Sequence, residues 1–211
     1  MTMKPAHTET IDGLTLSIYQ DEHYDQTPND EGDDNLFLVN YHRDFDIRRD
    51  KVLTENDVRA LYGANDDPNE EQITELRKHY HLFPLSMLSH SGVWLSLVHS
   101  FECDSGGWDT SHVGLVLAAK SEWPDVDKAT RAAESLIENW NDVLQGNVWG
   151  YDLTTPDGEH LDSCWGFVGD MEYCLSEARA SAAYFVKQRR QRAQARRKAQ
   201  IRHHVPLDKR A

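Results

Sequence analysis

Long apolar runs are what this chain most plainly lacks. Hydrophobic residues make up 39% of its 211 positions, and no stretch approaches the roughly 18 consecutive apolar residues of a membrane span. Met1 to Glu9 shows no basic start leading into an apolar stretch, so a secretory signal is not expected there. Together these features predict a soluble, cytoplasmic protein with no membrane partner. Cysteine is also scarce. Cys103, Cys164 and Cys174 are widely spaced, and no Cys-x-x-Cys pair suggests zinc or a redox dithiol. Reduced thiols, mostly buried as small hydrophobes, are expected instead. No Gly-rich phosphate loop, paired-histidine helix or serine nucleophile elbow is present, and no cofactor or metal is expected.

Positive charge is rare until the end of the chain. Residues 1–75 carry 19 acids against 6 bases, and residues 76–186 carry 16 against 6. Residues 187–211 reverse this with 10 bases and one acid, leaving a net charge of −14 overall. The reversal suggests a single α+β domain over 1–186 and a basic helical extension over 187–211. Residues 20–35, with seven acids and Pro28, have too few apolar groups to bury and read as a mobile loop.

Alternation predicts a strand over 11–19, with Leu14, Leu16 and Ile18 on one face, and another over 36–41. Helices are expected from Thr54 to Gly63 and from Asn69 to about Tyr80. Residues 93–101 carry apolar groups on both faces, which predicts a strand inside a sheet. It is expected to pair as a hairpin with 113–119. Val126, Ala129, Ala133, Leu136, Ile137, Trp140 and Leu144 recur at helical spacing, and Gly146 supplies a stop. Trp149 to Leu153 and Leu161 to Phe167 flank Pro156-Asp157-Gly158, a hairpin signal. From Asp170 a long helix docks through Met171, Leu175, Ala178, Ala182 and Phe185, then runs on as an Arg-rich end. Strands mixed with helices, without β-α-β alternation, indicate α+β with a largely antiparallel sheet packed by helices.

Three clusters carry candidate chemistry. His42 and Asp44 follow a strand, and such a pair can tune an imidazole for proton transfer; a salt-bridge cluster with Arg43, Asp46, Arg48 and Arg49 accounts for the same residues. The loop from Glu102 to His112 holds Asp104, Asp109 and His112 at a spacing that fits neither a calcium loop nor a zinc pattern. Its alternative reading is a turn whose Asp and Ser side chains satisfy backbone amides. On the last hairpin, alternation sets Asp162 and Cys164 opposite Trp165 and Phe167. Convergence with His90 or His112 would give a thiolate its base, and the alternative is a packed strand cysteine. The Arg-rich end offers Arg189, Arg190, Arg192, Arg196, Arg197 and Lys198 as a phosphate-contacting stripe without base readout. It reads equally as a solvated helix end, or one that docks on the acidic body of the same or a neighbouring subunit.

In order along the chain come Tyr41-His42-Arg43-Asp44-Phe45, Ser89-His90-Ser91-Gly92, Trp108-Asp109 with Val113-Gly114, Gly146-Asn147-Val148-Trp149-Gly150 and Asp162-Ser163-Cys164-Trp165-Gly166-Phe167. This order resembles a family of small bacteriophage-encoded proteins of unknown function, over roughly residues 36–170. The chain departs from the family's Trp-Asp-Ser-Gly turn, since Thr110-Ser111 follows Asp109. The resemblance implies an early accessory protein in an infected bacterium and no particular reaction. The function expected is binding and modulation of a host macromolecule. A nucleic-acid-binding tail, and a hydrolase or transferase using His42 or His90 with Asp109 and Asp162, are the alternatives.

Overall fold

A computed structural model describes residues 4–25, 28, 36–40, 70–98, 101–104 and 106–204. The helix expected from Thr54 to Gly63, and most of the acidic 20–35 loop, lie outside these residues. Among the described residues the elements run β1 (His7–Ile11), β2 (Leu14–Gln20), β3 (Leu36–Asn40), α1 (Glu70–His79), β4 (Tyr80–Ser89), β5 (Val93–Ser96), β6 (Thr110–Ala119), α2 (Val126–Gln145), β7 (Val148–Thr154), β8 (His160–Val168) and α3 (Met171–His204). Two antiparallel sheets packed by helices, with a long C-terminal helix, make the fold α+β. No described helix is long and apolar enough to cross a membrane. The chain divides into two compact units, Met1–Glu22 with Val148–Ala211, and His23–Asn147.

In the first unit the sheet order is β1-β2-β7-β8. The single strand expected over 11–19 is instead a hairpin, turned at Asp12 (φ 49°) and Gly13 (φ 81°). Two successive left-handed residues give a turn whose twist matches the strands it joins, and Asp-Gly suits it. Leu14, Leu16, Ile18, Tyr151 and Leu153 pack against Leu175, Ala178, Ala182 and Val186 of α3. Arg179 of α3 grips Glu9 of β1 through two hydrogen bonds of 2.8 and 2.9 Å, and this grip holds the Glu9 carboxyl below its ordinary value.

The β7–β8 hairpin forms where expected, but its register carries an irregularity with a consequence. Trp149 faces Phe167 and Tyr151 faces Cys164, so Trp165 and Gly166 together stand opposite Gly150. Gly166 takes φ 83°, the left-handed value of a bulge. Facing partners share a side of a sheet, so Asp162, Cys164 and Phe167 all lie on the α3 side. Trp165 alone of the expected opposite pair is on the other side, stacked on Tyr19 at 6.0 Å. The extra residue moved Phe167 across. Trp165 lies so close over Gly150 that a Cβ there would sit 2.2 Å from its ring.

In the second unit the order is β3-β6-β4-β5. One face holds Leu38, Leu85, Met87, Val113 and Val116 against Ala133, Ile137 and Trp140 of α2. The other holds Val39, Leu115 and Leu117 against Leu76 of α1. The sheet is therefore covered on both faces. The hairpin expected between 93–101 and 113–119 does not form. β6 pairs with β3 and β4, and among the described strands β5 lies at the edge, paired only to β4. Helix α2 is capped at both ends as its pattern implies: the Asp125 carboxylate accepts from the amides of Asp127 and Lys128, and Gly146 takes φ 74°.

Candidate functional site

The densest group of candidate residues in the second unit forms where two turns meet. The β4–β5 turn (residues 90–92) and the loop before β6 are joined by the Ser89 amide, which donates to the Asp109 carbonyl at 2.9 Å. That contact brings His90 beside Asp109, with Nδ1 2.9 Å from Oδ2. Both side chains are open to solvent, 71% and 42% exposed. A carboxylate on Nδ1 favours the tautomer that leaves Nε2 as the accepting nitrogen.

The loop itself is built on Asp104. Its Oδ1 accepts from the Trp108 amide at 3.0 Å, while Oδ2 accepts from the Asp109 amide at 3.0 Å and the Thr110 hydroxyl at 2.7 Å. The Thr110 hydroxyl, and behind it those backbone amides, hold the Asp104 carboxyl below its ordinary value. Asp104 therefore spends its oxygens on the turn, as Asx residues do. Gly107 supplies φ 66°, and a Cβ on Gly106 would lie 2.4 Å from the Trp108 ring. The result is a closed turn that holds Trp108 in water, 90% exposed. Pattern reading did not single Trp108 out. The signal available was the pair of glycines immediately before an aromatic, which marks a close approach rather than a flexible tether.

Asp162 and Cys164 belong to the first unit, whereas His90 and Asp109 belong to the second. Asp162 accepts from the Tyr151 hydroxyl at 3.0 Å and from the Ser181 hydroxyl, tying β7 and β8 to α3. Burial pushes the Tyr151 phenol above its ordinary value. Cys164 and Cys103 are exposed and only Cys174 is buried, which reverses the expectation of mostly buried thiols. Burial pushes the Cys174 thiol up to about 11, so it stays protonated and unreactive near neutral pH. His42 and Asp44 lie outside the described residues. Among the described residues, no three His, Cys, Asp or Glu side chains gather closely enough to hold a metal ion.

The basic residues lie on α3. Arg190 meets Asp12 of the β1–β2 turn at 3.0 Å, with both side chains more than half exposed. Arg189, Arg192, Arg196, Arg197 and Lys198 are also exposed, beyond Val186, the last residue of the helix described as buried. Residues 189, 192 and 196 recur at three and four positions, which sets them on one face.

No known protein family, curated protein or solved structure matches this chain.

Proposed function

We propose that this chain is a non-enzymatic accessory protein, of bacteriophage type, that binds and modulates a host macromolecule through the turn carrying Trp108. The carrying observation is a tryptophan held 90% in water by a turn that Asp104 fixes with three hydrogen bonds. Leaving a large aromatic in water forgoes about 2 kcal/mol or more of burial, and tryptophan is prominent among residues that anchor protein interfaces. A turn already fixed loses little further freedom on binding. The adjacent His90 and Asp109 supply polar contacts at the rim of such an anchor. The phage setting rests on the ordered motifs of the sequence. Comparing wild type with Trp108→Ala in pull-downs from nuclease-treated bacterial lysate tests this reading. A stoichiometric host protein retained by wild type and weakened at least tenfold by the substitution is expected. Equal retention by both would count against the turn.

A second reading is nucleic-acid binding through α3, favoured by the exposed stripe of Arg189, Arg192 and Arg196. Such contacts would be phosphate-directed and salt-sensitive. Nucleic-acid retention by a chain ending at Val186 would rule the stripe out.

A further inference from the structure

The second unit carries a groove of about 370 Å³ between edge strand β5 and helix α2. Trp94, Leu97 and Val98 give it an apolar wall, and Trp94 and Val98 are 44% and 60% exposed. Glu134, Glu138 and Asp142 of α2 rim the other side, and among the described residues no cationic side chain lines the groove. Spaced by four residues, these acids share one helix face over roughly 12 Å. A strand is a poor occupant, because the outward backbone of β5 is already in use. Asn141 Oδ1 accepts from the Leu95 amide at 2.7 Å, its Nδ2 donates to the Leu95 carbonyl at 2.9 Å, and Gln145 donates to the Val93 carbonyl at 2.8 Å. The occupant must satisfy its own backbone, as a helix does, and present cations to the acidic rim. One such element is at hand in this chain. Beyond Val186, α3 is a helix whose Arg189, Arg192 and Arg196 are exposed on one face, over roughly 10 Å, which matches the length of the acidic row.

We infer that this groove receives the basic end of α3 from a second copy of the chain, so that copies associate tail to groove. The aliphatic stems of the arginines lie along the apolar wall and their guanidinium groups pair with the acids. The contact is directional. It closes when two copies exchange tails and otherwise continues into higher assemblies.

Sedimentation of nuclease-treated full-length protein, over a concentration series at low and high salt, tests this with two charge-reversed variants. At low salt the wild-type mass is expected to rise above the 24.2 kDa of one chain. High salt is expected to weaken the association at least tenfold, since exposed charges are screened. Glu134→Lys with Glu138→Lys should be monomeric, as should Arg189→Glu with Arg192→Glu and Arg196→Glu. Mixing the two should restore association, because one variant's tail then fits the other's groove. The restored mixture also separates lost complementarity from lost folding. A wild type that stays at one chain's mass, reversed variants that associate as wild type does, or a mixture that stays monomeric would each overturn the inference.

Discussion

Asp104 shows how much one carboxylate can organise. Its three bonds are made by the ionised form, and they hold its pKa below the ordinary value of 3.8. A group whose pKa is lowered by folding contributes its stabilisation above the unfolded value and loses it as pH falls through the folded value. The turn should therefore hold Trp108 fixed near neutral pH and release it below pH 3.8. Asp104→Asn, which cannot ionise, should remove that acid transition while leaving the rest of the fold cooperative. Tryptophan fluorescence anisotropy against pH checks this, and an identical acid transition in the variant would show that Asp104 does not govern the turn.

At the scale of elements, the edge of the second sheet is closed by side chains rather than by another strand. Asn141 pairs with both backbone groups of Leu95 from across the groove. Asn141→Ala leaves a donor and an acceptor of β5 open, and should cost about 1–3 kcal/mol. It should also raise the rate of aggregation, since an open edge is a template for further pairing. Urea melts and light scattering measure the two effects; unchanged scattering would mean that Gln145 alone suffices.

The same sheet explains what was legible in the sequence. Helix α2 was readable because it carries one clean period and its own stop signals, and the β7–β8 hairpin because alternating runs flank Pro156-Asp157-Gly158. Strand β4 was not. It is buried on both faces, so it shows no alternation, and Pro84 argues against a central strand. Pro84 is tolerated because β5 pairs only from Ser86 onward, leaving β4 with a single neighbour among the described strands at that point. With β4 unread, the pairing of β5 was assigned to β6. The His90–Asp109 contact, which depends on the β4–β6 register, was equally hidden. The bulge at Trp165-Gly166 misled the reading of faces for a related reason, since an extra residue inverts every parity count beyond it. Exposure of Trp108 was signalled only by Gly106 and Gly107 before it, with no periodicity to support the reading.

On the scale of the whole molecule, the first unit is assembled from both ends of the chain. Its sheet pairs Gln20 with Trp149, and the Asp21 amide donates to the Val148 carbonyl at 2.8 Å. The chain thus leaves this unit and returns to it at neighbouring points. Replacing residues 23–147 by a short Gly-Ser connection between Glu22 and Val148 should yield a cooperatively melting protein that keeps the four-stranded sheet and α3. Circular dichroism and a thermal melt test this, and a non-cooperative melt would mean that the inserted unit is needed for the outer one to hold.

That arrangement also sets an order of events during synthesis. The β1–β2 hairpin leaves the ribosome about 125 residues ahead of β7. At ordinary elongation rates it waits on the order of 10 s before its neighbouring strand exists. Throughout that interval Leu14, Leu16 and Ile18, which are fully buried in the finished protein, have no covering helix. Residues 23–147 are complete while the outer unit is still half made. The nascent chain therefore carries one finished unit and one sticky, unpaired hairpin, and that hairpin is where a chaperone would be needed.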